Sequence, residues 1–556
     1  MLTLRPWQTE ALKQALHWLL EVRDDRHFLI NAAPGSGKTI AACTIAKSLI
    51  ECGEVDRVIV IAPRSEVTKQ WAGDFKSVTG RFMGKVTGAY DVEALGHDVC
   101  ATWQAIQGLQ DAFQALCRES KVLVICDEHH HAAVKAAWGS GAGSAFAEAK
   151  FVLVLTGTPI RSDGERSVWL AYDDNGKIDQ PEAGTYTLTY GKAVDLGYCR
   201  PVTFHRHEGH FTVDLEDGER VQVSSKQAAS LPKDLARIPG IQRALEFYEL
   251  ACKPQFESDK STPMVSGYQG SMLSYAGQKL DDLRLRMPKA AGLVIAPSIE
   301  VAEYMAKLIE LVEGEPATLV HSQIKGVEDR IEAFRNTDRR WLVSVAMISE
   351  GVDIPRLRVL VYLPSALTEL AFRQAIGRVV RNNGPTDDTR AYVVMPSFNT
   401  FEVFARRVEE EMSASARADD GTPREKICPV CETETSLGAR FCESCGFEFP
   451  KPGMRFKNCR KCDALNPISA KTCQNCGESF ATEYIITLDE ALRTGAIVRG
   501  MDIDEEEVRQ GEAIAPTLRQ EILDSGDITL IRALRTLPDE SYGRLQNILD
   551  RAKKRP

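Results

Sequence analysis

The sequence predicts an α/β protein: two doubly wound parallel-sheet lobes in tandem, then two small four-cysteine modules and a short helical C-terminal segment. Three observations carry this expectation. Short apolar runs alternate with helical stretches in two separate blocks, a glycine-rich turn joins the first run to a helix, and eight of the fifteen cysteines fall between residues 428 and 476. Runs this short and this uniformly apolar suit strands buried on both faces, the condition of a parallel sheet covered by helices.

Lobe one is expected over residues 1–200, with strands at 28–31, 58–62, 122–126 and 151–155. The turn Ala32-Ala33-Pro34-Gly35-Ser36-Gly37-Lys38-Thr39 follows Phe28-Leu29-Ile30 and precedes a helical stretch at 40–50. That spacing is a cradle for the phosphates of ATP. The backbone N–H groups of Gly35, Ser36 and Gly37 can converge on a phosphate, Lys38 can neutralise β/γ charge, and the Thr39 hydroxyl can reach Mg²⁺. Further on, Val122-Leu123-Val124-Ile125-Cys126 ends in Asp127-Glu128-His129-His130. The carboxylates thus emerge at a strand's C-terminal edge, where open α/β sheets bind ligands, and lie beside the phosphate loop if the two strands neighbour one another. Asp127 is expected to hold Mg²⁺ and Glu128 to place the attacking water, because hydrolysis is mostly positioning and charge stabilisation.

Residues 201–285 break the rhythm and read as a linker or insertion, with a helical segment at 241–252. Lobe two is expected over 286–400, with apolar runs at 293–296, 318–320, 341–345, 359–363 and 392–395. In Gln374-Ala375-Ile376-Gly377-Arg378-Val379-Val380-Arg381 the arginines stand at i and i+3. On one helical face, both can be aimed at a γ-phosphate held by the other lobe, which makes turnover conditional on closure. Residues 401–427 begin as a charged helix and end as a linker.

The cysteines of 428–480 form two copies of one unit: Cys428, Cys431, Cys442 and Cys445, then Cys459, Cys462, Cys473 and Cys476, offset by 31 residues throughout. Each Cys-x2-Cys pair presents two thiolates to one ion, and two pairs complete a tetrahedral shell, so each unit is a structural Zn²⁺ ribbon with no open position for catalysis. The first ribbon is rich in acids: Glu432, Glu434, Glu443 and Glu448 stand against Arg440. The second carries Lys451, Arg455, Lys457, Arg460, Lys461 and Lys471 against Asp463, and stays positive after the charge of its own zinc–thiolate centre is counted. The second is therefore expected to touch nucleic acid, with Phe456 available to stack on a base. The first ribbon or the segment 481–556, which holds the acidic run 502–507 and a helical stretch at 530–549, could dock a protein.

The chain's 556 residues suggest three or four domains. No leader and no membrane-spanning stretch is read, so a cytoplasmic location with no membrane partner is expected. The net charge of −10 argues against a nucleic-acid partner only weakly, since strand-tracking proteins grip the backbone through local grooves.

Over residues 1–400 the chain resembles the superfamily 2 helicases and translocases in their DExH-box form, with residues 127–130 as the box. Leu4-Arg5-Pro6-Trp7-Gln8 resembles the Q motif, which implies that Gln8 contacts the base. Ile61-Ala62-Pro63-Arg64 with Gln70-Trp71, and Ala101-Thr102-Trp103-Gln104, resemble strand-gripping motifs. Thr156-Gly157-Thr158-Pro159 resembles the motif coupling hydrolysis to lobe movement, and Ser349-Glu350-Gly351-Val352-Asp353-Ile354-Pro355 resembles motif V, implying nucleotide-binding roles for Gly351 and Asp353. Residues 374–381 resemble motif VI, implying catalytic roles for Gln374, Arg378 and Arg381. Residues 455–476 look like the zinc module of RadD-like proteins, while motifs IV to VI look closer to a broader type III restriction-like or phage-type helicase group. The resemblance implies two RecA-like lobes that hydrolyse ATP and move along nucleic acid, DNA ahead of RNA, in repair, recombination or replication of a bacterium or phage. Two other readings remain open at this point: a DNA-stimulated ATPase that remodels protein–DNA complexes without unwinding, and an ATP-switched recruitment module.

Overall fold

The computed structural model describes residues 3–412 apart from 63–64, 89–90, 128–142, 158–168, 171–180, 215–219, 226–229, 231–244, 346–353, 366, 383–386 and 388, and short pieces between 425 and 487. It divides into two compact units at Cys199/Arg200. Among the described residues no helix is long and apolar enough to cross a membrane.

The first unit is built on seven parallel strands: β1 (His27–Ala32), β2 (Arg57–Ala62), β3 (Met83–Val86), β4 (Asp98–Thr102), β5 (Val122–Cys126), β6 (Phe151–Thr156) and β7 (Thr185–Leu188). Their order is β3-β4-β2-β5-β6-β1-β7. The four apolar runs read from the sequence are the central β1, β2, β5 and β6, and β5 and β6 are buried at every position. The other three carry weaker signals. β3 and β7 are four-residue edge strands, and β4 opens on Asp98, whose buried carboxylate accepts from Val58 N (2.8 Å) and pairs with Arg81 (2.7 Å). Helices α1 (Pro6–Leu16), α2 (Lys38–Glu51) and α3 (Ser65–Thr79) pack in sequence, α1 on α2 and α2 on α3.

The second unit begins earlier than the sequence suggests. Its six-stranded parallel sheet, order β12-β13-β11-β14-β15-β8, consists of β8 (Val202–His207), β11 (Ala291–Ala296), β12 (Thr318–Val320), β13 (Trp341–Val345), β14 (Leu357–Tyr362) and β15 (Ala391–Pro396). Between β8 and β11, β9 (His210–Asp214) and β10 (Arg220–Ser224) form an antiparallel pair. The stretch 201–285, expected as linker or insertion, thus supplies strand β8, paired with β15 from Val202 to His207, and helix α4 (Tyr268–Arg284), which packs on β11, β14 and β15. β8 reads Val-Thr-Phe-His-Arg-His, too polar for a buried strand by pattern. Its polar side chains are instead taken up by the protein: Arg206 pairs with Glu402 (2.8 Å) and Glu409 (3.0 Å), and His205 stacks on Tyr275 at 3.6 Å. Of the expected helical segment 241–252, Phe247–Cys252 is helical and 241–244 lie outside the described residues.

A buried ion cluster ties the sheet of this unit together. Arg200 and Arg358, both fully buried, share Asp387 Oδ2 at 2.6 and 2.8 Å. Burial opposes ionisation of Asp387, but the hydrogen bond of Arg200 and the charges of both guanidiniums outweigh it and hold its carboxyl well below the usual carboxylate range. A group whose folded value is depressed contributes stability above its unfolded value, near pH 4, and that contribution is lost as pH falls further. Asp387→Asn is expected to cost about 3–5 kcal/mol of stability, because it leaves two buried guanidiniums uncompensated. Urea unfolding at pH 7 checks this, and a loss under 1 kcal/mol would contradict it.

The four-cysteine modules lie between α6 (Asn399–Glu411) and a returning strand, with α5 (Glu369–Val379) preceding α6 in the lobe. The modules contribute two antiparallel hairpins at the same 31-residue offset, β16 (Glu425–Ile427) with β17 (Glu434–Ser436) and β18 (Phe456–Asn458) with β19 (Leu465–Pro467). Strand β20 (Glu483–Thr487) then pairs in parallel with β9, giving a three-stranded sheet β10-β9-β20 in which Tyr484 packs against Phe211 and Tyr268. The start of the expected C-terminal segment 481–556 is therefore a strand, and residues 488–556 lie outside the described residues.

Candidate nucleotide and metal sites

The phosphate loop lies between β1 and α2, as its spacing requires. Gly35 (φ +77°) and Gly37 (φ +97°) adopt left-handed conformations that L side chains rarely enter, and Gly37 is the N-cap of α2. A loop whose N–H groups converge on an anion must turn its carbonyls outward and satisfy them there. That is what the neighbouring segments do. Ser36 O accepts from Arg5 Nη1 (2.8 Å) and Trp7 Nε1 (3.2 Å), Gly37 O from Gln8 Nε2 (3.0 Å), and Pro34 O from Cys199 Sγ (3.2 Å). Trp7 is itself fixed by stacking on Tyr186, and Arg5 lies over the ring of Tyr198. The Ser36 hydroxyl is fully buried without a hydrogen-bond partner. An orphaned donor inside a loop of this shape fits a bound phosphate.

Gln8 is 4% exposed, and its amide already accepts from Arg5 N (2.8 Å) and donates to Gly37 O (3.0 Å). Each end keeps capacity for one further bond. So the segment read as a base-contacting motif first of all braces the phosphate loop.

Lys38 Nζ donates to Ala32 O at 3.0 Å, back across the loop. Gly157 explains the room it has: a Cβ there would sit 3.0 Å from Lys38 Nζ. Asp127 follows β5, and Gly157 follows Thr156, the last residue of β6. The strand of Asp127 does not neighbour that of the phosphate loop, because β6 runs between β5 and β1. Three consecutive strand ends nevertheless carry Asp127, Gly157 and the loop, and the residue on the intervening strand is the smallest available. Thr39, in the first turn of α2, is half-buried. Glu128, His129 and His130 lie outside the described residues, as do Thr158 and Pro159.

Two tryptophans read from the sequence as parts of strand-gripping motifs turn inward. Trp103 is buried in the core, and Thr102 before it caps the helix Trp103–Gly108 by accepting from Ala105 N. Trp71 is 1% exposed, and its Nε1 donates to Asp127 Oδ2 at 2.8 Å. Sequence reasoning missed this bond, although a signal existed: Val67, Trp71, Phe75 and Val78 recur at helical spacing and mark the buried face of α3.

In the second unit Gln374 and Arg378 lie on α5, but Arg381 does not. The helix ends at Val379, so the expected sharing of one helical face by both arginines does not hold. Its last carbonyls are captured by Arg200: Arg200 Nη1 donates to Val379 O and its backbone N–H to Val380 O, each at 2.7 Å. A buried cation at a helix C-terminus satisfies its unpaired carbonyls and complements its dipole. Arg381 folds back, its Nε donating to Gly377 O at 3.2 Å. Gly351 and Asp353 lie outside the described residues.

In the first four-cysteine module the sulfurs of Cys431, Cys442 and Cys445 all lie within 4.8 Å of one another, with Cys431 and Cys442 3.5 Å apart. Three converging thiols suit a zinc ion with one further ligand, and Cys428, outside the described residues, is the sequence's fourth. The knuckles repeat: Gly446 N bonds Cys442 O and Gly477 N bonds Cys473 O, both at 2.9 Å, with both glycines at positive φ. Cys459 and Cys462 lie outside the described residues.

Comparison with known proteins agrees with this layout. Residues 1–161 match the family described as type III restriction enzyme, res subunit, residues 277–383 the helicase conserved C-terminal domain, and residues 428–477 the double zinc ribbon. The matched segments follow one another as a res-subunit segment in the first parallel-sheet unit, a helicase C-terminal segment in the second, and a double zinc ribbon. It is 31% identical over 394 residues to "Uncharacterized protein Rv2917" of Mycobacterium tuberculosis, covering 70% of this chain and 61% of that one. It is 23% identical over 390 residues to "Putative helicase 22" of the Sulfolobus islandicus filamentous virus, covering 68% and 61%. The chain thus spans about three fifths of the length of these relatives. Among solved structures it is similar to the ATP-dependent Type ISP restriction-modification enzyme LlaBIII bound to DNA, with 16% identity and a TM-score of 0.46 over 74% of this chain and 30% of that one.

Proposed function

We propose that the protein is an ATP-dependent nucleic-acid translocase or helicase that acts on DNA in repair, recombination or replication. The observation that carries the reading is the braced phosphate loop, with its left-handed glycines and buried unpartnered Ser36 hydroxyl, on the same sheet edge as Asp127. In this reading the N–H groups of Gly35, Ser36 and Gly37 and the ammonium of Lys38 hold the nucleotide's phosphates, and Thr39 and Asp127 hold Mg²⁺. The metal, when bound, offsets charge on the phosphate oxygens. Glu128 orients the attacking water. Gly351, Asp353, Gln374, Arg378 and Arg381 take their roles from the resemblance to motifs V and VI, the two arginines supplying positive charge to the transferred phosphoryl group. α5 stops before Arg381, so the two arginines stand in different backbone settings.

The positive second ribbon supports binding of nucleic acid outside the lobes. Charge reversal of Arg455, Lys457 and Arg460 together is expected to weaken DNA binding and to flatten the dependence of log K on log salt by about 0.7–0.9 for each phosphate no longer neutralised. An unchanged slope would move the ribbon's role to protein docking.

The decisive experiment for the whole reading is ATP hydrolysis with single-stranded DNA, double-stranded DNA or RNA added in turn. Stimulation by DNA above RNA is the expected result. Stimulation without strand separation would favour remodelling of protein–DNA complexes, and no stimulation by any polynucleotide would favour an ATP-switched recruitment module.

A further inference from the structure

Asp127 is held twice by one segment of the chain. Its backbone N–H donates to Ile61 O at 3.0 Å, and its carboxylate accepts from Trp71 Nε1 at 2.8 Å. Ile61 lies next to the end of β2 and Trp71 lies on α3, so a single strand–helix unit grips both the backbone and the side chain of this residue. The indole is fully enclosed. Val67, Phe75 and Val78 are buried on the same helical face, which leaves the N–H no water to exchange with and fixes its direction. α3 packs on α2, the helix that begins at Lys38, so a shift of α3 acts on a body that also carries the phosphate loop.

A hydrogen bond to one carboxylate oxygen sets the plane in which the carboxylate meets a cation. Groups that orient a metal ligand in this way are worth about 10–100-fold in metal affinity or activity. We infer that Trp71 is a positioning residue for the metal-binding carboxylate of Asp127. The inference rests on the proposed ATP-dependent function and adds to it the group that aims this carboxylate at the metal. The carboxylate holds its direction because its backbone and its side chain are bonded to the same strand–helix unit.

The test is Trp71→Phe, which keeps a large apolar ring and removes the donor. The readout is binding of a fluorescent ADP to the full chain as Mg²⁺ is titrated. Wild type is expected to bind ADP in a Mg²⁺-dependent manner. In the variant the Mg²⁺ concentration needed for half-saturation is expected to rise about 10–100-fold, with Mg²⁺-free ADP affinity retained. An unchanged half-saturation overturns the inference. If Trp71→Phe does not fold, replacing Trp71 by its benzothiophene analogue, with sulfur where the N–H was, asks the same question at constant shape. Absence of any ADP binding by wild type would instead overturn the ATP reading itself, which keeps the two failures apart.

Discussion

Lys38→Ala is expected to lower ATP hydrolysis by about two to three orders of magnitude, the usual cost of removing one pre-placed cation or donor from a developing charge. The fold should survive. Lys38 is half-buried, and its ammonium makes a 3.0 Å bond to Ala32 O, which water can replace once the side chain is cut back. The phosphate loop keeps its shape because its outward carbonyls are held by Arg5, Trp7, Gln8 and Cys199 rather than by Lys38. Phosphate release under saturating ATP, beside a thermal unfolding curve, measures both halves of this expectation. Hydrolysis at the wild-type rate would remove the loop from the reaction.

The second large effect concerns zinc. Cys442→Ser is expected to halve the zinc content of the purified protein, because the converging set of Cys431, Cys442 and Cys445 loses its buried member while the second ribbon keeps its own four cysteines. Structural zinc contributes about 10–16 kcal/mol of apparent binding free energy per site at pH 7, and in so small a module that free energy is the folding free energy. The module should therefore become sensitive to protease around residues 428–447 with both lobes still resistant. Metal analysis and limited digestion check the two statements. Two zinc ions retained per chain would contradict the assignment.

Much of this architecture can be read from the chain, and the reasons for the rest are physical. Strands buried on both faces announce themselves, and β1, β2, β5 and β6 do so by short apolar runs, as do β11, β13, β14 and β15 in the second lobe. β8 does not, because an edge strand that meets Glu402, Glu409 and Tyr275 can carry His205, Arg206 and His207. The cysteine repeat is legible down to its 31-residue offset because metal ligation fixes spacing more tightly than packing does. At the nucleotide site, Lys38 and Asp127 stand out by residue type and position. The braces of the loop do not, since bonds such as Trp7 to Ser36 and Cys199 to Pro34 join residues far apart in sequence and leave no local pattern. The capping of α5 belongs to the same class: its last carbonyls, of Val379 and Val380, are taken by the distant Arg200.

The return of β20 to β9 has a consequence for the ribbons. The chain on both sides of residues 413–482 is fixed on one lobe, at α6 before them and at β20 on β9 after them. A module moored at two points is confined more closely than one on a free tail of equal length, which raises the local concentration of anything it binds. Ending the chain between Cys476 and Glu483 would cut the far mooring, strip Tyr484 and Ile486 from the apolar face they cover, and set the ribbons adrift.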